Sequence, residues 1–344
     1  MELAELDYPL PSAAIAQTPA EPREAARLLV VDRATGALAD HVVRDLPELL
    51  RRGDCLVVND SRVIPARVFA EDGAGRRIEL LFVEALGPAR WRALVRPGRR
   101  CRTNVALRVG GEGGPRLRVA GVEPDGLRVI ERLDGTIDEV IRTHGVQPLP
   151  PYIVRHAKPG PEDVERYQTV YAGAPGSVAA PTAGLHFSDG LLARLGARGI
   201  DVHRVTLHVG PGTFRPIKSA RVEEHAVAPE HAVISAATAQ AVNAARTEGR
   251  RIVAVGTTTT RTLESAADVD GVVRPFDGAA SLTIHPGHRF RVVTALLTNF
   301  HLPRSSLLSL ACAFAGRELV LRAYAHAVGH GYRFYSYGDA TLFE

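Results

Sequence analysis

Lysine is nearly missing from this 344-residue chain. It stands only at Lys158 and Lys218, although Lys and Arg together number 42. Arg therefore carries the positive charge, and with abundant Ala, Gly and Pro this bias fits a GC-rich coding sequence. Cysteine is scarce too. Cys55, Cys101 and Cys312 are odd in number and far apart, which argues against a disulfide framework and a cysteine metal site. The nearly uncharged stretch 305–316 is well short of the roughly 20 residues a membrane span needs. The opening MELAELDYPLP carries acids and no apolar run, so no secretory signal is expected. No His-Glu-x-x-His pattern occurs, nor a Gly-x-Gly-x-x-Gly, nor the Gly-Lys-Ser/Thr close of a phosphate loop. No metal site is expected. What remains is a reduced, cytoplasmic, enzyme-sized chain of about two domains, with 45% apolar and 23% charged residues as soluble globular proteins have.

The net charge of +4 hides an asymmetry. Between Gly87 and Arg132 eleven Arg stand against four acids, a local +7, so the remainder sums to −3. A basic segment on a nearly neutral body suits a polyanion such as RNA. The same region reads as β structure. Arg77–Val83, Trp91–Val95, Arg116–Val119 and Leu127–Ile130 alternate apolar and polar residues, with glycines between them, as short strands of a small barrel do. Thr136 and Glu139 then form a capping-box pattern ahead of a helix that Gly145 stops. Pro148, Pro150 and Pro151 stiffen the passage onward. Beyond Tyr152 strands and helices alternate: strands over 201–209, 251–255 and 290–297, an Ala-rich helix over 235–247, and an apolar helix over 305–315. The expected fold is α/β: a mixed-sheet α/β main domain with an inserted small all-β barrel domain. The main domain is discontinuous, residues 1–61 and 149–344, with the barrel at 62–148.

Eleven of the thirteen His follow Pro151, which marks the α/β part as the chemical half. Polar groups concentrate where strands should end. Asn59-Asp60-Ser61-Arg62 follows the apolar run Cys55–Val58, and ligands of α/β sheets bind beyond such ends. Thr182, Gly184 and His186 lie in a run of small residues that lets a ligand approach the backbone. Gly256-Thr257-Thr258-Thr259-Thr260-Arg261 joins a strand to a helix start, a place for an anion or carboxylate. Thr298-Asn299-Phe300-His301 adds an amide, an aromatic face and an imidazole. These stretches describe a polar cleft without fixing its reaction.

The same stretches resemble a known family. Asn59–Arg67, Gly176–Phe187, Thr206–Gly210 with Gly212-Thr213-Phe214, Val255–Thr258 with Arg261–Ser265, Thr298–Pro303, and Tyr332–Phe334 with Ser336–Ala340 look like S-adenosylmethionine:tRNA ribosyltransferase-isomerases of queuosine biosynthesis, in order and over nearly the whole chain. The resemblance implies a transferase that consumes S-adenosylmethionine as substrate and holds no permanent cofactor. It would move the ribosyl moiety onto 7-aminomethyl-7-deazaguanine in the tRNA anticodon loop and rearrange it to epoxyqueuosine, releasing adenine and methionine. A sulfonium acidifies the adjacent carbon, so one base could start such a reaction, and the candidates are His186 or His208, held by a carboxylate such as Asp60 or Glu224. Asn59, Arg62, Thr182 and Gly184 would line the cleft, Gly256, Thr257, Thr258 and Arg261 would hold the methionine carboxylate, and Asn299 and His301 the ribose or adenine. The chain departs from the family's pattern at 226–232 and 281–285. A related enzyme using another acceptor, or a non-catalytic RNA-binding protein, are the alternatives.

Overall fold

The computed structural model describes residues 1–155, 160–210, 212 and 217–344. Thr213 and Phe214 of the family-like motif lie outside the described residues. In chain order the strands are β1 (Arg27–Val31), β2 (Leu38–Val42), β3 (Cys55–Asn59), β4 (Ser61–Val63), β5 (Arg67–Asp72), β6 (Arg77–Gly87), β7 (Arg90–Arg96), β8 (Ala106–Val109), β9 (Arg116–Val122), β10 (Arg128–Arg132), β11 (Ala174–Ser177), β12 (Asp201–Leu207), β13 (Glu230–Ile234), β14 (Ile252–Val255), β15 (Phe276–Ala280), β16 (Ala295–Asn299) and β17 (Ala340–Phe343). The helices are α1 (Leu46–Leu49), α2 (Ile137–His144), α3 (Pro161–Arg166), α4 (Asp189–Ala197), α5 (Ala236–Thr247), α6 (Thr257–Ala266), α7 (Ser306–Ala315) and α8 (Arg317–Gly329).

Nine strands form one mixed sheet in the order β15-β13-β12-β3-β14-β16-β17-β1-β2. Its middle four, β12, β3, β14 and β16, are parallel. Strand residues alternate between two cores, as the pleat dictates. Cys55, Val57 and Ala254 pack with Val242 of α5, Leu263 of α6 and the α7–α8 pair on one face. Leu56, Val58 and Val255 pack with α1 and with Leu191 and Leu195 of α4 on the other. Covered on both faces, β3 and β14 read as unbroken apolar runs.

β5 to β10 close into a six-stranded antiparallel barrel. Ile78, Leu80 and Phe82 alternate inward along β6, and α2 adds Ile137, Val140 and Ile141 to that core. The Thr136 cap is present: its hydroxyl accepts from Glu139 N at 3.3 Å. Gly145 ends α2 for a different reason than expected. Its φ is −72° rather than left-handed; a Cβ there would lie 1.9 Å from Pro65 O. Two strand boundaries also shift. β16 begins at Ala295, not 290, because the Glu264 carboxylate takes the amides of Arg291, Val292 and Val293 at 2.9–3.0 Å. β12 ends at Leu207 because the next free amide, Val209 N, turns to Ser177 Oγ at 2.8 Å. No described helix is long and apolar enough to cross a membrane.

Candidate active site at the ends of four parallel strands

The parallel strands bring their C-terminal residues to one edge, and Asn59 ties that edge together. Its Nδ2 donates to Leu207 O at 3.0 Å and Thr258 Oγ1 at 3.3 Å, while its Oδ1 accepts from Leu207 N at 3.0 Å and Ser61 N at 3.1 Å. Beyond it lies a narrow cavity of about 30 Å³. Thr182, Gly256, Thr257, Thr258, Asn299 and His301 all line it, with Val209. Gly256 takes φ +90°, open to glycine at little cost, and turns the chain into α6. The hydroxyls of Thr259 and Thr260 fold back onto Val255 O and Gly256 O at 2.7 and 3.1 Å. That leaves the first amides of the helix, which have no partner in the preceding turn, at the cavity where Thr257 and Thr258 stand.

Asn299 is the hub of the cavity's polar network. Its Oδ1 accepts from Thr182 Oγ1 at 2.9 Å, and its Nδ2 lies 3.2 Å from His186 Nε2. With the amide donating, Nε2 accepts and the His186 proton sits on Nδ1. His186 is buried. Desolvation first, then the charges of Arg333 and Arg23, bring its pKa down to about 4. His301 is buried likewise, and desolvation lowers its pKa to about 3. Its Nε2 meets Thr298 Oγ1 at 3.0 Å and its amide donates to Tyr324 OH at 3.1 Å. Both rings are neutral near pH 7.

On either side of Val209 the chain faces a different space. His208 and Gly210 border a cavity of about 530 Å³ between the sheet edge and the barrel, whose wall carries Glu84, Arg92, Glu123 and Asp125. His208 stacks on His231 with ring centres 5.8 Å apart, and His231 Nε2 lies 2.8 Å from Asp277 Oδ1. The buried Nδ1 of His208 has no hydrogen-bond partner among the described residues. Burial and then His231 lower the His208 pKa, and Asp60 opposes them. Gly176 makes room for the ring: a Cβ there would lie 3.0 Å from His208 Cε1. Asp60 follows β3 and accepts from Thr206 Oγ1 at 2.7 Å.

The other expected residues stand as follows. Arg261 does not face the Gly256 turn. One helical turn further on, it is buried against β13 and β15, ion-paired with Glu230 and donating to Leu282 O and Ala280 O at 3.1 Å. Glu224 is exposed and borders a cavity with Lys218 and His225 that shares Gly212 and Ala228 with the large one. Arg62 is exposed and donates to Ala172 O at 2.5 Å. Gly184 is dictated by packing, since its Cβ would meet Tyr171 OH at 2.1 Å. His186 is oriented by an amide, not a carboxylate. Sequence reading gives no site role to Ser177, Gly176, Glu230, His231 or Asp277. Only proximity across β11, β12, β13 and β15 joins them, and no spacing along the chain signals that. The two segments that depart from the family's pattern touch each other: Val227 N donates to Thr283 Oγ1 at 3.0 Å. Among the described residues no three His, Cys, Asp or Glu are grouped to hold a metal.

Known proteins share this chain's pattern from end to end. The profile of a family described as "Queuosine biosynthesis protein" matches residues 3–343. A Methylobacterium radiotolerans protein named S-adenosylmethionine:tRNA ribosyltransferase-isomerase is 52% identical over 340 residues, covering 98% of this chain and 96% of the relative. One of the same name from Symbiobacterium thermophilum is 49% identical over 344 residues, covering 99% of each. The crystal structure of S-adenosylmethionine tRNA ribosyltransferase from Thermotoga maritima is 35% identical, with a TM-score of 0.56 over 99% of this chain and 100% of that one.

Proposed function

Because the chain belongs to the queuosine biosynthesis protein family, matched over residues 3–343, we propose that its strand-end cavities are where the ribosyl transfer takes place. The chain is a transferase with isomerase activity in queuosine biosynthesis. It transfers and isomerises the ribosyl moiety of S-adenosylmethionine onto 7-aminomethyl-7-deazaguanine of tRNA, giving epoxyqueuosine-tRNA, adenine and methionine. The acceptor base enters from the wobble position of the anticodon loop.

The observation that carries the placement is the convergence of Thr182, Gly256, Thr257, Thr258, Asn299 and His301 on one cavity beyond four parallel strands. The first-turn amides of α6 suit the methionine carboxylate, because a helix start presents free N–H groups and positive potential. Arg261 is not available for that carboxylate, being paired with Glu230. A space of about 30 Å³ holds no more than a water-sized group, whereas substrates of this size need a few hundred Å³. Binding therefore widens the narrow cavity, and the rest of the substrate occupies the larger space beside the barrel. Glu84, Glu123 and Asp125 on that wall outnumber Arg92, which pairs with the first two, and the remaining negative charge favours the sulfonium and the aminomethyl cation.

A sulfonium acidifies the carbon next to it, and one base starts the reaction by removing that proton. His208 is the better base. It borders the large cavity, and Asp60 supports its protonated form. His186, at about 4, lies far from the operating pH at which a base works best. It acts through Asn299, keeping the amide turned toward Thr182. Adenine release from S-adenosylmethionine, assayed with and without tRNA carrying the 7-aminomethyl-7-deazaguanine base, tests the reading. Release that requires this tRNA supports it, and no release overturns it.

A further inference from the structure

Among the described residues some arginines of the barrel make ion pairs and others, Arg77, Arg108, Arg128 and four in one loop, make none. Arg90 and Arg118 share Glu131, Arg92 meets Glu84 and Glu123, Arg116 meets Asp134, and Arg132 meets Glu139. These are neutralised in place. The loop after β7 is different. Residues 96–102 read Arg-Pro-Gly-Arg-Arg-Cys-Arg, four guanidiniums with no acid among them. None of Arg96, Arg99, Arg100 or Arg102 makes an ion pair among the described residues. Arg96 stands opposite Glu79 in the strand register, yet Glu79 pairs with Arg67 at 3.1 Å. Arg96, Arg99 and Arg102 are exposed. A GC-rich coding bias accounts for Arg in place of Lys, not for the absence of acids.

The loop is also held in place. Arg128 donates from Nε to Cys101 O at 2.8 Å and from Nη2 to Gly98 O at 3.0 Å. Its third group donates to Gly126 O, in the turn whose Asp125 and Leu127 line the large cavity beside His208. One guanidinium thus fastens a basic loop to an acidic rim. The acidic wall repels phosphate and admits cations; the loop next to it does the reverse.

We propose that the loop 96–102 seats the phosphate backbone of the RNA whose nucleotide enters the cavity. The inference rests on the tRNA reading above and adds where the polyanion is gripped. Phosphate contacts position a nucleic acid without reading its sequence, so this loop supplies affinity and salt dependence rather than base choice.

The test is binding of labelled tRNA at stepped salt concentrations, a readout independent of turnover. Replacing Arg99, Arg100 and Arg102 together by Ala should weaken binding about tenfold or more at physiological salt. The slope of log affinity against log salt should become shallower by about two to three. Replacing the same three by Lys should keep the slope. The single exposed change Arg99→Glu should weaken binding too, which covers a triple variant that folds poorly by circular dichroism. An unchanged slope and affinity in the folded Ala variant or in Arg99→Glu overturns the proposal. Wild-type protein that binds tRNA through this loop but releases no adenine overturns the reaction reading instead, leaving the loop's role standing.

Discussion

Asn59 pairs with the backbone of Leu207 on both sides of its amide, donating to Leu207 O and accepting from Leu207 N, each at 3.0 Å. β3 and β12 are neighbours in the sheet, and the side chain extends their ladder one step past the last strand residue. This fixes the run Leu207–Gly210, in which His208 faces one cavity and Val209 the other.

Asn59→Ala should accordingly cost stability first. It leaves Leu207 N and Ser61 N without their acceptor in a buried setting, at about 1–3 kcal/mol for each unsatisfied group. Urea unfolding checks this. A stability within experimental error of wild type would show that the amide does not hold the strand ends.

Arg261 and Glu230 form a buried ion pair, and breaking such a pair by removing one partner costs about 3–5 kcal/mol. Arg261→Met is expected to lower the unfolding midpoint by that order. In the folded fraction, the KM for S-adenosylmethionine should stay within about twofold. A large rise in KM with unchanged stability would return Arg261 to the substrate carboxylate.

The neutral buried rings of His186 and His301 predict an acid-labile fold. Their folded pKa values, about 4 and about 3, lie below the ordinary 6.5. Their contribution is therefore complete above pH 6.5. It is lost as pH falls from 6.5 toward 4, because the unfolded chain takes up protons that the folded one refuses, at about 1.4 kcal/mol per pH unit for each ring. Urea midpoints at pH 7 and pH 5 measure the loss, and His301→Gln should flatten the dependence. A midpoint that does not fall over this range would contradict the neutral assignment.

His208 predicts the acid limb of the rate. The base works when neutral, and burial with His231 holds its pKa below 6.5. Activity on S-adenosylmethionine should thus persist below pH 6.5 and fall as pH drops through the lowered value. Asp60→Asn removes the opposing charge and should move the limb to lower pH; His231→Gln should move it higher. His208→Gln should slow adenine release by about 10²–10⁴-fold. A pH profile unmoved by both neighbouring changes would show that another group is the base.

Much of this molecule was legible in its sequence where the signal is local. The Thr136 cap, the Gly256 turn and the inward alternation of β6 all depend on residues within a few positions of one another. The polar strand ends were legible for the same reason, because each follows an apolar run. Partnerships across the chain were not. Nothing near Arg261 announces Glu230, and nothing near His208 announces His231, since both contacts arise only when β12, β13 and β15 pair. β5 and β8 were missed because their short runs, Arg67–Asp72 and Ala106–Val109, carry too few alternating positions to stand out. Gly184 and Gly145 suggest in the sequence room for a ligand and a helix stop, yet both answer to close neighbours, Tyr171 and Pro65.

The most direct measurement is the mass of the wobble nucleoside after the protein is incubated with S-adenosylmethionine and tRNA bearing 7-aminomethyl-7-deazaguanine. The account predicts the mass of epoxyqueuosine, with one adenine released per nucleoside converted. An unchanged nucleoside beside intact S-adenosylmethionine would contradict it.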